Sequence, residues 1–420
     1  MPETVIGTSA PRPPLTSSAP SADGLGLPRF NTDPYADNFL LDPYPDYEAF
    51  REAGPVFWLN RYGVHAVARH QEVQVVLTRP DAFCSAAGVG LTNFKREESW
   101  RKPSIILEAD PPEHGEKRRV LTRILSLPVL RKLRPEFERQ AAILVERMLE
   151  KGSCDGIADL AEAYPLKVFG DAVGLPAEGR EHLLPYGDLV FNAFGPINDR
   201  FEKRMAASSE TVAWIDAVCR REALHPNGFG AQLYAAADAG ELTHDEAALL
   251  VRTLLSAGLD TTVFTLANAI VTLARHPDQW ALLQENPALA RNALEEVMRF
   301  ESTFQSFYRT TTQSVELGGV QIPPDRKIWV GIASANRDPR RWPDPEKFDV
   351  KRRASGHLAF GTGIHGCVGQ MIARMEGEIV LQALANRVQS ITPSAQPVVH
   401  LNNTVRGFSS MPICVTAKPR

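Results

Sequence analysis

Cys367 stands in HLAFGTGIHGCVGQMIARME, residues 357–376, with glycines at 361, 363, 366 and 369 and a histidine two positions before it. Glycines let a backbone turn tightly and approach a flat ligand. The next segment, CVGQMIARMEGEIVLQALANRVQ, has the character of one helix, so Cys367 falls where loop becomes helix. A helix N-terminus offers free N–H groups and partial positive charge, and both favour a thiolate. An anionic sulfur facing a flat object suggests an axial haem ligand, with His365 placed to donate to a propionate. A buried, inert cysteine accounts for the same thiol equally well from this stretch alone. Gly361 to Gly366 also match G-x-G-x-x-G. That dinucleotide fingerprint belongs between a strand and a helix of a parallel sheet, and no such pattern surrounds it here.

A second group of polar side chains interrupts an apolar run, AALLVRTLLSAGLDTTVFTLANAIVTLARH, residues 247–276. The run is long enough to cross a bilayer. Arg252 and Asp260 would each cost roughly 2.5–3.5 kcal/mol in that setting, so a helix buried in protein is the better reading. A buried aspartate then needs a reason. Thr253, Ala257 and Thr261 are spaced i, i+4, i+8 and share a helical face. Over one unbroken helix the first and last are about 12 Å apart.

The surrounding chain must position these groups. Its 420 residues are 44% apolar, ample for a deep core, and a net charge of −4 gives no basic excess for nucleic acid. The five cysteines are far apart and lack C-x-x-C spacing, which argues against disulfides and structural zinc and for a reducing cytoplasm. Residues 1–30 are rich in Pro, Ser and Ala without an apolar core, and read as a disordered tail and not a signal peptide. Residues 55–69 suggest a hairpin, about 115–305 carry helical periodicity, 309–332 and the C-terminal stretch look like strands, and 334–356 like an ordered loop. The expectation is a mainly α chain with small sheets at its two sequence ends, folded as one domain over 31–420.

Three separated phrases together carry a family resemblance. Phe360-x-x-Gly363-x-His365-x-Cys367-x-Gly369 resembles the haem-binding loop of the cytochrome P450 family. Glu296-Val297-Met298-Arg299 matches its E-x-x-R helix, and Ala257-Gly258-Leu259-Asp260-Thr261-Thr262 its oxygen-binding motif, in the family's order. The resemblance implies haem b between that helix and the cysteine loop, with Cys367 as the axial thiolate. It implies that Glu296, Arg299 and Arg352 brace the proximal loop. His114, Arg118, Arg309 and His365 stand where the propionates would be met. Ala257, Gly258, Phe360, Gly363 and Gly369 border the cofactor, and Asp260 and Thr261 are the acid and alcohol of proton delivery. Electrons would come from NAD(P)H through a flavin reductase and an acidic iron–sulfur ferredoxin. Lys117, Arg118, Arg119, Arg123, Arg352, Arg353 and Arg374 would suit such a donor.

Within the family, the phrases FCSAAGVGLTNFKREESWRKPSIILEADPP, EGREHLLPYGDLVFNAFGP and LLVRTLLSAGLDTT resemble soluble bacterial members that oxidise para-substituted benzoic acids. The resemblance places a substrate carboxylate on Arg101, Ser104, Arg252 and Thr253. It places the ring against Phe191, Phe194, Ala257 and Phe307. Where that group reads F-E-S-P-V-Q after the E-x-x-R arginine, this chain has Phe300-Glu301-Ser302-Thr303-Phe304-Gln305, so Phe304 would narrow the space beside the para carbon. The implied reaction puts one atom of O2 into the acid, as in O-demethylation of 4-methoxybenzoate. Another small hydrophobic substrate, or a haem sensor or carrier, are the alternatives.

Overall fold

The computed structural model describes residues 26–99 and 101–419. Residues 1–25 of the expected tail lie outside the described residues, and the tail's last part is corrected. Arg29–Phe30 form a strand, β1, parallel to β2 (Phe57–Leu59). The hairpin read at 55–69 is β2 with β3 (Val64–Val67), where Phe57 opposes Ala66. β4 (Phe83–Cys84), β5 (Ser306–Thr311) and β6 (Lys327–Gly331) complete a sheet in the order β1-β2-β3-β6-β5-β4. This sheet draws its strands from both ends of the sequence. His65 to Val67 pair in parallel with Ile328 to Val330, joining segments some 260 residues apart. Both strands are fully buried, so pairing them hides apolar surface on two faces at once.

Helices supply the rest. α1 (Glu113–Ile124), α2 (Leu127–Lys151), α3 (Leu183–Asn192), α4 (His244–Ala257), α5 (Asp260–Arg275), α6 (Ala290–Glu301) and α7 (Gln370–Arg387) concern the site. The apolar run read as one helix is two, α4 and α5, broken at Gly258–Leu259. α4 starts on a capping box, Thr243 with Glu246, as its sequence demands. α5 is buried along nearly its whole length, which explains an apolar stretch of bilayer length inside a protein core. α2, α5 and α6 pack around α7, so the helix after Cys367 is held on several sides.

Candidate active site

A cavity of about 290 Å3 lies between the α4–α5 break and the cysteine loop. Cys367, Phe360, His365 and Gly369 line one wall, and Ala257, Gly258 and Thr261 the other. Gly363 does not line it. With φ +70° and an added Cβ only 2.6 Å from the Leu77 carbonyl oxygen, it serves the turn and close packing beneath the loop. The Cys367 N–H donates to the Phe360 oxygen at 2.8 Å, closing the loop on itself.

Burial and the helix N-terminus act on Cys367 in opposite directions. The helix N-terminus does not by itself make Cys367 anionic. Desolvation pushes the thiol up, and the Gly369 and Gln370 N–H groups, Arg118 and Arg374 only partly offset it. A thiolate here needs a bound cation, and a metal that coordinates the sulfur removes the proton outright.

Four cationic or potentially cationic side chains meet at the cavity edge. The His114 and His365 rings lie 4.3 Å apart, and Arg118 and Arg309 flank them on the lining. Both histidine Nε2 atoms are buried and have no hydrogen-bond partner among the described residues. Burial and then the Arg309, His114 and Arg118 charges hold His365 down to about 3. Burial brings Arg309 down to about 10. Orphaned donors and crowded positive charge need anionic acceptors. Two propionates supply them, so these residues fit haem.

Behind the loop, Glu296 and Arg299 are wholly buried and joined at 2.7 and 2.9 Å. Arg352 Nε donates to the same carboxylate at 3.0 Å. Arg299 also donates to the carbonyls of Asn336 and Pro345, each at 3.0 Å. The three side chains tie α6 to the segment leading into the cysteine loop.

At the helix break, an added Cβ on Gly258 would collide with the Phe169 ring, so only glycine fits there. Thr261 Oγ1 donates to the Ala257 carbonyl at 3.0 Å, satisfying a group the break releases. Asp260 does not line the cavity. Its carboxyl lies against the Cα of Gly187 on α3, where no side chain would fit, and Oδ1 has no partner among the described residues. Burial, then the Asp188 and Glu162 charges, hold its pKa well above the carboxylate range. Its proton is held more tightly than that of an ordinary carboxyl, one residue away from the cavity-facing threonine.

Arg101, Ser104, Arg252 and Thr253 are also on the cavity lining. Both arginines are already paired, which the sequence reading missed. Arg101 makes a two-pronged contact with buried Glu108 at 2.8 and 3.0 Å, and Arg252 is bonded to Asp216. The Ser104 N–H also donates to Glu108, at 2.7 Å, and Thr253 Oγ1 donates to the Leu249 carbonyl at 2.9 Å. Glu108, seven residues after Arg101, was within reach of a local reading. Asp216, on another helix, carried no signal. Phe304 stacks on Phe307 at 3.9 Å and 18°, Phe191 meets Phe304 edge-on at 5.7 Å, and Phe194 lies 6.3 Å from Phe307. Thr303 shares a hydrogen bond with Thr265 at 2.9 Å and accepts from Asn268 at 3.3 Å. Of the basic residues read for a donor, Lys117, Arg123, Arg352 and Arg374 are in ion pairs, while Arg119 and Arg353 remain exposed.

A cysteine loop facing a broken helix across a cavity, rimmed by two arginines and two histidines with unpartnered Nε2 atoms, fits a haem-thiolate protein. The cytochrome P450 family model matches residues 197–412. Cytochrome p450 CYP199A2 of Rhodopseudomonas palustris is 51% identical over 96% of this chain and 98% of its own length. The 6-deoxyerythronolide B hydroxylase of Saccharopolyspora erythraea is 29% identical over 90% of this chain and 97% of its own. The solved structure of Cytochrome P450 CYP109Q5 from Chondromyces apiculatus superimposes with a TM-score of 0.77 at 30% identity, over 93% of this chain and 99% of that one. The chain belongs to the cytochrome P450 family and is a monooxygenase.

Proposed function

We propose that this monooxygenase oxidises a small aromatic carboxylic acid, a para-substituted benzoate such as 4-methoxybenzoate, with electrons from a ferredoxin and its flavin reductase in the bacterial cytoplasm. The observation that carries the reading is the composition of the cavity. Its lining combines Arg101, Ser104, Arg252 and Thr253 with Phe191, Phe194, Phe304 and Phe307 and with Thr261 and Cys367. A buried carboxylate leaves water only for charged or polar partners, and the phenylalanines suit one ring.

Cys367 would hold the haem iron, with His114, Arg118, Arg309 and His365 on its propionates. When bound, the haem supplies oxygen activation, which a thiolate ligand favours by pushing electron density toward O–O cleavage. Thr261 presents a hydroxyl at the cavity wall and Asp260 stores the proton behind it. Asp260 would pass a proton forward when its side chain turns from Gly187 toward Thr261. The phenylalanines exclude water from the ring, and the stacked Phe304–Phe307 pair favours slim para groups.

The two acids beside the arginines set the form of recognition. Arg101 with Glu108 and Arg252 with Asp216 are each formally neutral, so an incoming carboxylate is stabilised by directed hydrogen bonds and not by a bare positive field. The test is titration of the purified ferric protein with benzoates and their neutral amides, following the Soret band. Acids should shift the band at far lower concentration than amides. Equal binding of acid and amide would remove the substrate proposal and leave the monooxygenase.

A further inference from the structure

Lys327, on β6, is 8% exposed, and among the described residues no carboxylate lies within ion-pair distance of it. Its Nζ donates to three backbone carbonyls of one loop: Ala87 at 3.2 Å, Gly88 at 2.6 Å and Gly90 at 2.8 Å. Two residues earlier, Asp325 accepts from Asn93 at 3.2 Å and from Arg96 Nε at 2.8 Å. The turn 325–327 therefore grips both ends of the segment 87–96. That segment bears directly on the cavity. The Leu91 N–H donates to the Phe194 oxygen at 2.9 Å, and an added Cβ on Gly90 would lie 2.8 Å from the Phe194 backbone. Phe194 in turn has the Arg101 guanidinium 5.7 Å above its ring.

A buried ammonium without a counter-ion is costly, and an apolar side chain of similar length would be cheaper for stability alone. What a methionine could not do is gather three carbonyl oxygens that otherwise point apart. We propose that Lys327 is a positioning residue for substrate binding, clamping the 87–90 loop so that Phe194 and the Arg101 segment are held over the cavity. The proposal goes beyond the aromatic-acid reading and takes from it only the probe ligand.

The clamp has a built-in pH dependence. Burial brings Lys327 down to about 7. Cys84 on β4, Glu97 and Glu108 from the loop and Arg309 on β5 act on it, and the Tyr308 ring lies 6.0 Å away. On β3, His65 pairs with Ile328 and so faces the other side of the sheet. Above neutrality the amine keeps two N–H groups for three carbonyls and loses its charge. Loss of the proton nonetheless relieves the cost of burying the charge. The unfolded chain holds this proton to about pH 10 while the folded chain releases it near neutrality, so the group favours the folded state more as pH rises. A loop opening that returns Lys327 to water carries the same sign.

The experiment is hydrogen exchange of the haem-loaded protein, read on a peptide covering 86–98 and corrected for intrinsic rates, from about pH 6 to about pH 8.5. Protection of the wild-type loop should rise about tenfold across that range, as the cost of keeping the amine buried falls. In Lys327→Met the loop should exchange fast at every pH, and 4-methoxybenzoate and its amide should both bind about tenfold more weakly. Level protection in wild type, or a Lys327→Met protein that binds both ligands as tightly as wild type, overturns the proposal. If Lys327→Met does not fold, the wild-type exchange profile decides alone. If aromatic acids do not bind, the exchange result still stands, so failure of the substrate reading is distinguishable.

Discussion

Arg252→Ala is the sharpest probe of carboxylate recognition, because the structure assigns two consequences to it. The first is loss of the hydrogen bond to the acid. Hydrogen bonds to a charged group are worth about 1.5–3 kcal/mol, or about 10- to 150-fold in affinity. The second arises from Asp216, whose carboxylate is left without its arginine. Two carboxylates ~6 Å apart at an effective dielectric of ~40 repel by about 1.4 kcal/mol, another factor of about ten. Arg252→Ala should therefore weaken 4-methoxybenzoate binding by about 100- to 1,500-fold. Arg252→Ala with Asp216→Asn should recover about tenfold of that. The neutral amide, which feels neither charge effect, should change by less than about threefold. Soret titration of the three proteins with both ligands measures all of it. An acid affinity unchanged in Arg252→Ala refutes the carboxylate site. A double variant no better than the single refutes the electrostatic role of Asp216.

Cys367→His should abolish the strongly red-shifted Soret band of the reduced carbonyl complex, since thiolate ligation is lost; a normal shifted band would contradict the ligand assignment. Thr261→Ala should bind substrate and consume NADH but release more peroxide per electron pair, and wild-type coupling would remove Thr261 from proton delivery. Asp260→Asn should slow turnover while raising thermal stability near pH 7–8. An acid whose folded pKa is raised stabilises fully only below its unfolded value of about 3.9 and loses that contribution as pH rises through the folded value. The amide escapes this penalty, so an unchanged melting temperature would mean that Asp260 is not held neutral. Reduction by an acidic ferredoxin should slow as salt rises, because exposed charges are screened beyond about 8–10 Å; a flat response would mean that Arg119 and Arg353 are merely solvated.

The sequence by itself determined the groups whose chemistry is local or whose spacing is rigid. Cys367 in its glycines, Glu296 one helical turn from Arg299, and the Asp260-Thr261 pair inside an apolar run are legible because backbone turn chemistry and the 3.6-residue period act over a few residues. The hairpin at Phe57–Val67 is legible for the same reason. What only the tertiary structure decided are relations between segments that no short-range rule connects. The parallel pairing of β3 with β6 spans the length of the helical domain, and its apolar strands carry no mark of their partner. The break at Gly258–Leu259 is fitted to the Phe169 ring, so a periodic sequence became two helices. Asp260 turned to Gly187 and away from the cavity because α3 packs there, and the arginines read as free charge were matched by Glu108 and Asp216. Lys327, in an ordinary strand, became a clamp only when folding brought three carbonyls to it. The charge a buried group carries depends on what surrounds it in space, and that is set by packing across the whole chain.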